Sequence, residues 1–209
     1  MLDLIKGVFG GSKEQRFWKW FVRNEARLFQ FEDDQEAIFS ELGERLRAVY
    51  PDLAFEFGPV RGNGKRDFVI SADGLLSAFE AVEALATEAP HLARWSWVKF
   101  RQRGSSHVEF TFDDITVNSE QVCYVMTPRG SHVDVTIYFQ NYSQERHAIY
   151  EQSAFLVLDH LLGEFDVVTR VAYVQAAAEQ PIDLIDRKLL CELPAEFDAY
   201  LAKQRKGYH

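Results

Sequence analysis

Six histidines, at positions 91, 107, 132, 147, 160 and 209, are the first residues to ask for chemistry, and none forms a spaced pair on one helix. A His-x-x-x-His pair would set two imidazoles on one helical face for zinc. His107 and His132 fall at strand starts and could approach each other across a sheet, yet no third ligand accompanies them. His160 follows Asp159 inside the apolar run 155–162. Adjacent helix positions diverge, so the two are no acid–base couple, and a boundary histidine with a local hydrogen-bond partner is expected.

The carboxylates Glu56, Asp67 and Asp73 cluster near one hairpin, with Lys99 on a later strand. A metal-dependent nuclease would put an acidic residue two places before that lysine, where Trp97 stands. No serine or cysteine occupies a Gly-x-Ser-x-Gly elbow. The stretch from Gly58 to Arg66 mixes glycines with basic residues, as a phosphate loop does. Such loops depend on a helix N-terminus that follows them, whereas a strand follows here, so a hairpin turn is expected. Cys123 and Cys191 have neither disulfide-framework nor metal spacing. The expected catalytic, cofactor-binding and metal-ligating sets are all empty.

Aromatic and acidic residues are more suggestive. Trp95 and Trp97 alternate with Ser96 and Val98, so both indoles lie on one strand face. Two readings compete: the indoles are core, or they are an exposed binding face of an open sheet. Trp is enriched at binding hot spots, and exposed carboxylates steer basic partners. The expected partner-binding residues are therefore Trp95, Trp97, Glu32, Asp33, Asp34, Asp113 and Asp114, provided at least one indole is accessible.

The elements that must position these residues follow from periodicity. Gly10-Gly11 separates a short N-terminal helical turn from a longer helix, which Ser12 and Gln15 open as a capping box. Phe17, Phe21 and Leu28 line it as far as Phe29, and Ile38, Phe39, Leu42, Leu46 and Val49 repeat at helical spacing until Pro51. The period then changes to two. Phe55 and Phe57, the turn signal Asn63-Gly64, then Phe68 and Ile70 spell a hairpin. A helix over Leu75 to Leu85 and a strand over 94–101 complete a strand–strand–helix–strand unit at 54–101.

Residues 107–117 read as one further strand with an acidic bend at Asp113-Asp114. The same element order returns at 121–175: strands around Tyr124 and Ile137, a helix from about 143 to Leu162 ended by Gly163, and a closing strand over Val167 to Tyr173. Residues 176–182 read as a connector, a short helical stretch follows around 186–190, and Pro194 opens a last helix. The repeated order comes without shared residue identities, so duplication and the commonness of split strand–helix–strand units both explain it.

These elements give an expected α+β fold: a mixed, mostly antiparallel sheet of two such units with helices mainly on one face. An N-terminal helical segment (1–50) packs on the body (51–175), and a connector with a C-terminal helix (176–209) completes one domain. With 209 residues, 47% of them hydrophobic and 26% charged, the protein is large enough to bury a sizeable core. Seventeen Phe, eight Tyr and four Trp make rings a large share of it. A net charge of −9 works against phosphate attraction, so no nucleic acid is expected. Residues 1–11 read as neither signal peptide nor membrane span, which makes the cytoplasm the expected compartment and excludes a membrane partner.

The stretches Phe17-Trp18-x-Trp20-Phe21, Phe55-Glu56-Phe57-Gly58-Pro59 and Phe68 to Gly74 resemble uncharacterised bacterial hypothetical proteins over roughly residues 17–100. That resemblance implies a bacterial source and a cytosolic fold and carries no functional residue. The expected function is a cytoplasmic, non-catalytic protein-binding or regulatory module, with homo-oligomers allowed. The alternatives are a hydrolase or nucleotide-handling enzyme whose site is assembled from distant residues, and an immunity-type inhibitor of a basic toxin.

Overall fold

The first helix begins where the capping box places it. In the computed structural model, which describes residues 11–179 and 187–206, the Gln15 N–H donates to Ser12 Oγ and the Ser12 N–H to Gln15 Oε1, each at 3.2 Å. The short helical turn expected before Gly11 lies outside the described residues, as do 180–182 of the connector and Asp186. The fold is α+β, and its contacts divide the protein into two compact units, Met1–Arg101 and Gln102–His209. The break after Arg101 falls inside the stretch 51–175 that the sequence suggested as one body, and the N-terminal helices share a core with the first unit alone.

Unit 1 comprises α1 (Lys13–Arg23), α2 (Glu25–Phe29), a 3-10 turn (Phe31–Asp33), α3 (Gln35–Arg47), β1 (Ala54–Val60), β2 (Arg66–Ser71), α4 (Phe79–Thr87) and β3 (Trp95–Lys99). The sheet order is β1-β2-β3, with β1 antiparallel to β2 and β3 parallel to it by way of α4. Cross-strand register sets Phe57, Phe68 and Trp97 side by side, so their rings share one face. Phe17, Phe21, Leu42, Leu46, Val82 and Leu85 cover that face. Glu56, Asp67, Val69, Ser96 and Val98 point the other way, and none of them is fully buried.

Trp95 is therefore core rather than an exposed partner residue, while Trp97 packs against that core and keeps part of its surface open. Trp95 is 3% exposed and Trp97 is half-buried. They stack on each other with ring centroids 5.9 Å apart, while Phe21 meets Trp95 at 5.0 Å and Trp18 meets Trp97 at 4.6 Å. The physical reason is area: two indoles bury far more apolar surface than Ser96 and Val98, so the helices settle on the indole side.

Unit 2 starts with a two-stranded hairpin, β4 (Glu109–Phe112) and β5 (Ile115–Asn118), where one strand was expected. Asp113 takes φ +56° at the reversal, so the acidic bend folds the segment back on itself. Then come β6 (Cys123–Arg129), β7 (His132–Phe139), α5 (His147–Leu162), α6 (Glu164–Arg170), β8 (Val171–Ala178), β9 (Lys188–Leu189) and α7 (Leu193–Lys206). The sheet order is β8-β7-β6-β9. Strands β6 and β7 are antiparallel, and β8 runs parallel to β7. The expected strand 167–173 is half wrong: Val167 belongs to α6, and β8 runs on to Ala178 through the expected connector. The expected helical stretch near 188–190 is instead β9 and the start of a 3-10 turn.

The two units repeat one plan. Each has an antiparallel hairpin, a 3-10 turn leading into a crossover helix, and a third strand parallel to the second. Their hairpins match in residues as well: Pro59-Val60-Arg61-Gly62 precedes Asp67, and Pro128-Arg129-Gly130 precedes Asp134. In each unit that arginine turns back to pair with that aspartate, Arg61 with Asp67 and Arg129 with Asp134 at 3.1 Å.

Candidate functional site: a buried arginine beneath an acidic turn

Alternation along β2 sends Arg66, Phe68 and Ile70 to the helix-covered face. Arg66 thus enters the edge of an aromatic core, and its side chain is only 4% exposed. Its guanidinium lies over the Phe31 ring at 4.5 Å and the Phe29 ring at 5.4 Å, both supplied by the segment after α1. Phe31 in turn stacks on Phe57 at 4.9 Å. Ring quadrupoles attract the cation and partly replace the water it has lost.

One carboxylate meets this cation. Arg66 Nη2 donates to Glu32 Oε1 at 2.6 Å, while Nε and Nη1 are buried without a hydrogen-bond partner. Glu32 itself is 57% exposed, and the Arg66 hydrogen bond holds its carboxyl below the usual range. A single oxygen on a guanidinium that offers five N–H groups leaves most of the donor capacity unused.

A second arginine extends the arrangement. Arg66 and Trp95 are register partners, and the Arg66 N–H donates to Arg94 O at 2.8 Å. Arg94 lies over the Phe29 ring at 4.3 Å and grips both oxygens of Glu25, at 2.6 and 3.2 Å. Glu25 Oε1 also accepts the Trp95 indole N–H at 2.9 Å. The result is a row of Glu25, Arg94, Phe29, Arg66 and Glu32 along the end of the sheet.

Of the residues expected to bind a partner, the structure brings Glu32, Asp33, Asp34 and Trp95 to this end of unit 1. Trp95 serves as a buried support. Glu32 to Glu36 form five consecutive exposed residues, and Asp33, Asp34 and Glu36 have no ion-pair partner among the described residues. Asp113 and Asp114 lie apart, in unit 2, and both carboxylates pair with Arg146. That pairing closes one side of a cleft of about 420 Å³ lined by Glu109, Asn118, Gln140 and Asn141. Glu109 accepts from Asn118 at 2.5 Å.

Arg66, Arg94 and Glu25 were not among the expected site residues. The signal for Arg66 was its phase with Phe68 and Ile70, which marks it as inward-facing although a count of basic turn residues hides it. Among the described residues, no group of three or more His, Cys, Asp and Glu is arranged to hold a metal ion. His160 Nε2 lies 3.1 Å from Ser105 O, a partner 55 residues away in sequence instead of the local one expected. No helix among the described residues is long and apolar enough to cross a membrane. Comparison with protein-family models, with curated proteins and with solved structures returns no match for this sequence.

Proposed function

We propose that the protein is a non-catalytic binding module whose acidic turn, residues 32–36, docks a basic partner protein. The observation that supports this most is the contrast within the turn. Glu32 is tied to a buried arginine, while Asp33, Asp34 and Glu36 project without any cation among the described residues to neutralise them. Unpaired carboxylates raise the rate and selectivity of encounter with a positively charged surface. The net charge of −9 acts in the same direction at longer range. An inhibitor of a basic toxin is one form such a module takes.

The test uses the full-length protein and its triple variant Asp33→Asn, Asp34→Asn, Glu36→Gln as baits against lysate of the source organism. A captured basic protein that the wild type retains, and that the triple variant and moderate salt both release, supports the proposal. Equal capture by both baits removes the acidic turn from the interface. A second reading, small-molecule handling, draws on the cleft between Glu109 and Arg146, since carboxylates and amides converge there.

A further inference from the structure

The repeated plan supplies an internal control for Arg66. The residue before Asp67 is Arg66, and the residue before Asp134 is Val133. Both face the helix-covered side, and both pair with the first residue of the parallel third strand, Arg66 with Trp95 and Val133 with Val171. Val133 is fully buried in its core. The plan therefore accepts an aliphatic residue at this position, and an arginine there is not required to build the sheet. A buried ion pair is rarely a net gain over well-packed apolar residues, so packing alone does not account for the arginine.

Its surroundings suggest a ligand class. The guanidinium carbon lies 4.5 Å from the Phe31 ring centroid and 5.4 Å from that of Phe29, with Nε and Nη1 buried and unpartnered and Nη2 on one oxygen of Glu32. Glu32 is more than half exposed and rides on a three-residue 3-10 turn, so its carboxylate can leave by side-chain rotation alone. Departure uncovers a preoriented fork whose geometry matches two oxygens of a planar carboxylate. The flanking Asp33, Asp34 and Glu36 repel a dianion and tolerate a carboxylate carried by an otherwise basic segment.

We infer that Arg66 is a carboxylate-binding site for which Glu32 is the resident stand-in, and that its ligand is a free carboxylate, such as the terminal carboxylate of a polypeptide, within a basic segment of the partner. This rests on the docking of a basic partner at residues 32–36 and names what that partner places beneath the turn. Glu32 competes for the fork, so the apparent affinity is lowered by the fraction of time Glu32 occupies it.

The experiment follows the Arg66 Nε–H resonance by nitrogen-15 NMR in the full-length protein while acetyl-Lys-Lys-Gly is added, either as the free acid or as the amide. The free acid is expected to shift the resonance saturably, about tenfold more tightly in Glu32→Gln than in wild type. The amide and inorganic phosphate should leave it unmoved. Arg66→Val, which installs the residue type that unit 2 carries at Val133, should fold and lose the peptide-dependent shifts at residues 29–34, with Arg66→Met as a second variant if it does not. No saturable shift in Glu32→Gln, an equal response to the amide or to phosphate, or unchanged binding by the Arg66 variants would overturn the site. The Asp33, Asp34, Glu36 triple variant separates the two ideas. A wrong docking surface leaves basic-protein capture unchanged in that variant, whereas a wrong carboxylate site shows as a silent Arg66 resonance in Glu32→Gln.

Discussion

Gly104 and His160 are in direct contact: the Gly104 N–H donates to His160 O at 2.7 Å, and the imidazole lies across the space a Cβ would occupy. The ring cannot simply move aside, because its Nε2 is 3.1 Å from Ser105 O and acts there as the donor. This pair fastens the start of unit 2 onto the C-terminal turn of α5.

Gly104→Ala should therefore cost about 1–3 kcal/mol, the range for inserting a methyl into filled space. The double variant Gly104→Ala, His160→Ala should recover much of that loss, since the obstacle is then gone. Chemical denaturation of the four proteins of this cycle measures the coupling. An alanine at 104 that is neutral in both backgrounds would show that the contact is not made in solution.

A second pair of variants reads the phase of α5. Leu156 is 45% exposed, whereas Phe139 is buried and Val171 half-buried. The buried stripe is Tyr150, Ala154, Val157, Leu158 and Leu161. Leu158→Ala should cost about 2–5 kcal/mol. Leu156→Ala should change stability by about 0.5 kcal/mol or less, as surface substitutions do. Equal losses would mean that Leu156 is covered.

These elements also show what the residues disclosed in advance. The hairpin with Asn63-Gly64 at its turn and the helix opened by Ser12 were legible because turn chemistry and capping are local. Helix α6 was not, since Val167, Val168 and Thr169 favour strands and only packing of Val167 into the core holds them helical. The residue match between the two hairpins was hidden by length: Asp67 lies six positions after Arg61 and Asp134 five positions after Arg129, so the match emerges only once the ion pairs align them. Of the site, the acidic turn was legible as composition. The buried arginine under it was not, because no local rule couples residues 34 positions apart.

The Glu32–Arg66 bond has a consequence in acid. The hydrogen bond from Arg66 lowers the folded carboxyl below its ordinary value of 4.5. A depressed carboxylate contributes stability that is present above the ordinary value and is lost as pH falls through the folded one. Wild type should therefore lose stability faster than Glu32→Gln as pH drops below 4.5. Thermal melts across that interval check this, and parallel curves for the two proteins would show that the bond carries no linkage.

The opposite sign holds for Tyr124 in alkali. Its ring is 1% exposed, and its hydroxyl donates to Glu196. Burial, and then the hydrogen bond and charge of Glu196, push the phenol well above its ordinary value of 10.0. Folding thus favours the neutral phenol, so the stabilisation is complete below pH 10.0 and declines as pH rises above it. Tyr124→Phe removes both the hydrogen bond and the titration. It should cost about 1 kcal/mol at neutral pH, the usual net value of such a bond. The gap between the two proteins should then narrow as pH climbs past 10.0, because only wild type must hold a phenol neutral. Ultraviolet titration offers an independent reading: the tyrosinate step lost in Tyr124→Phe should be one that appears only with unfolding. A Tyr124 that ionises in the folded protein would contradict the burial and pairing described for it.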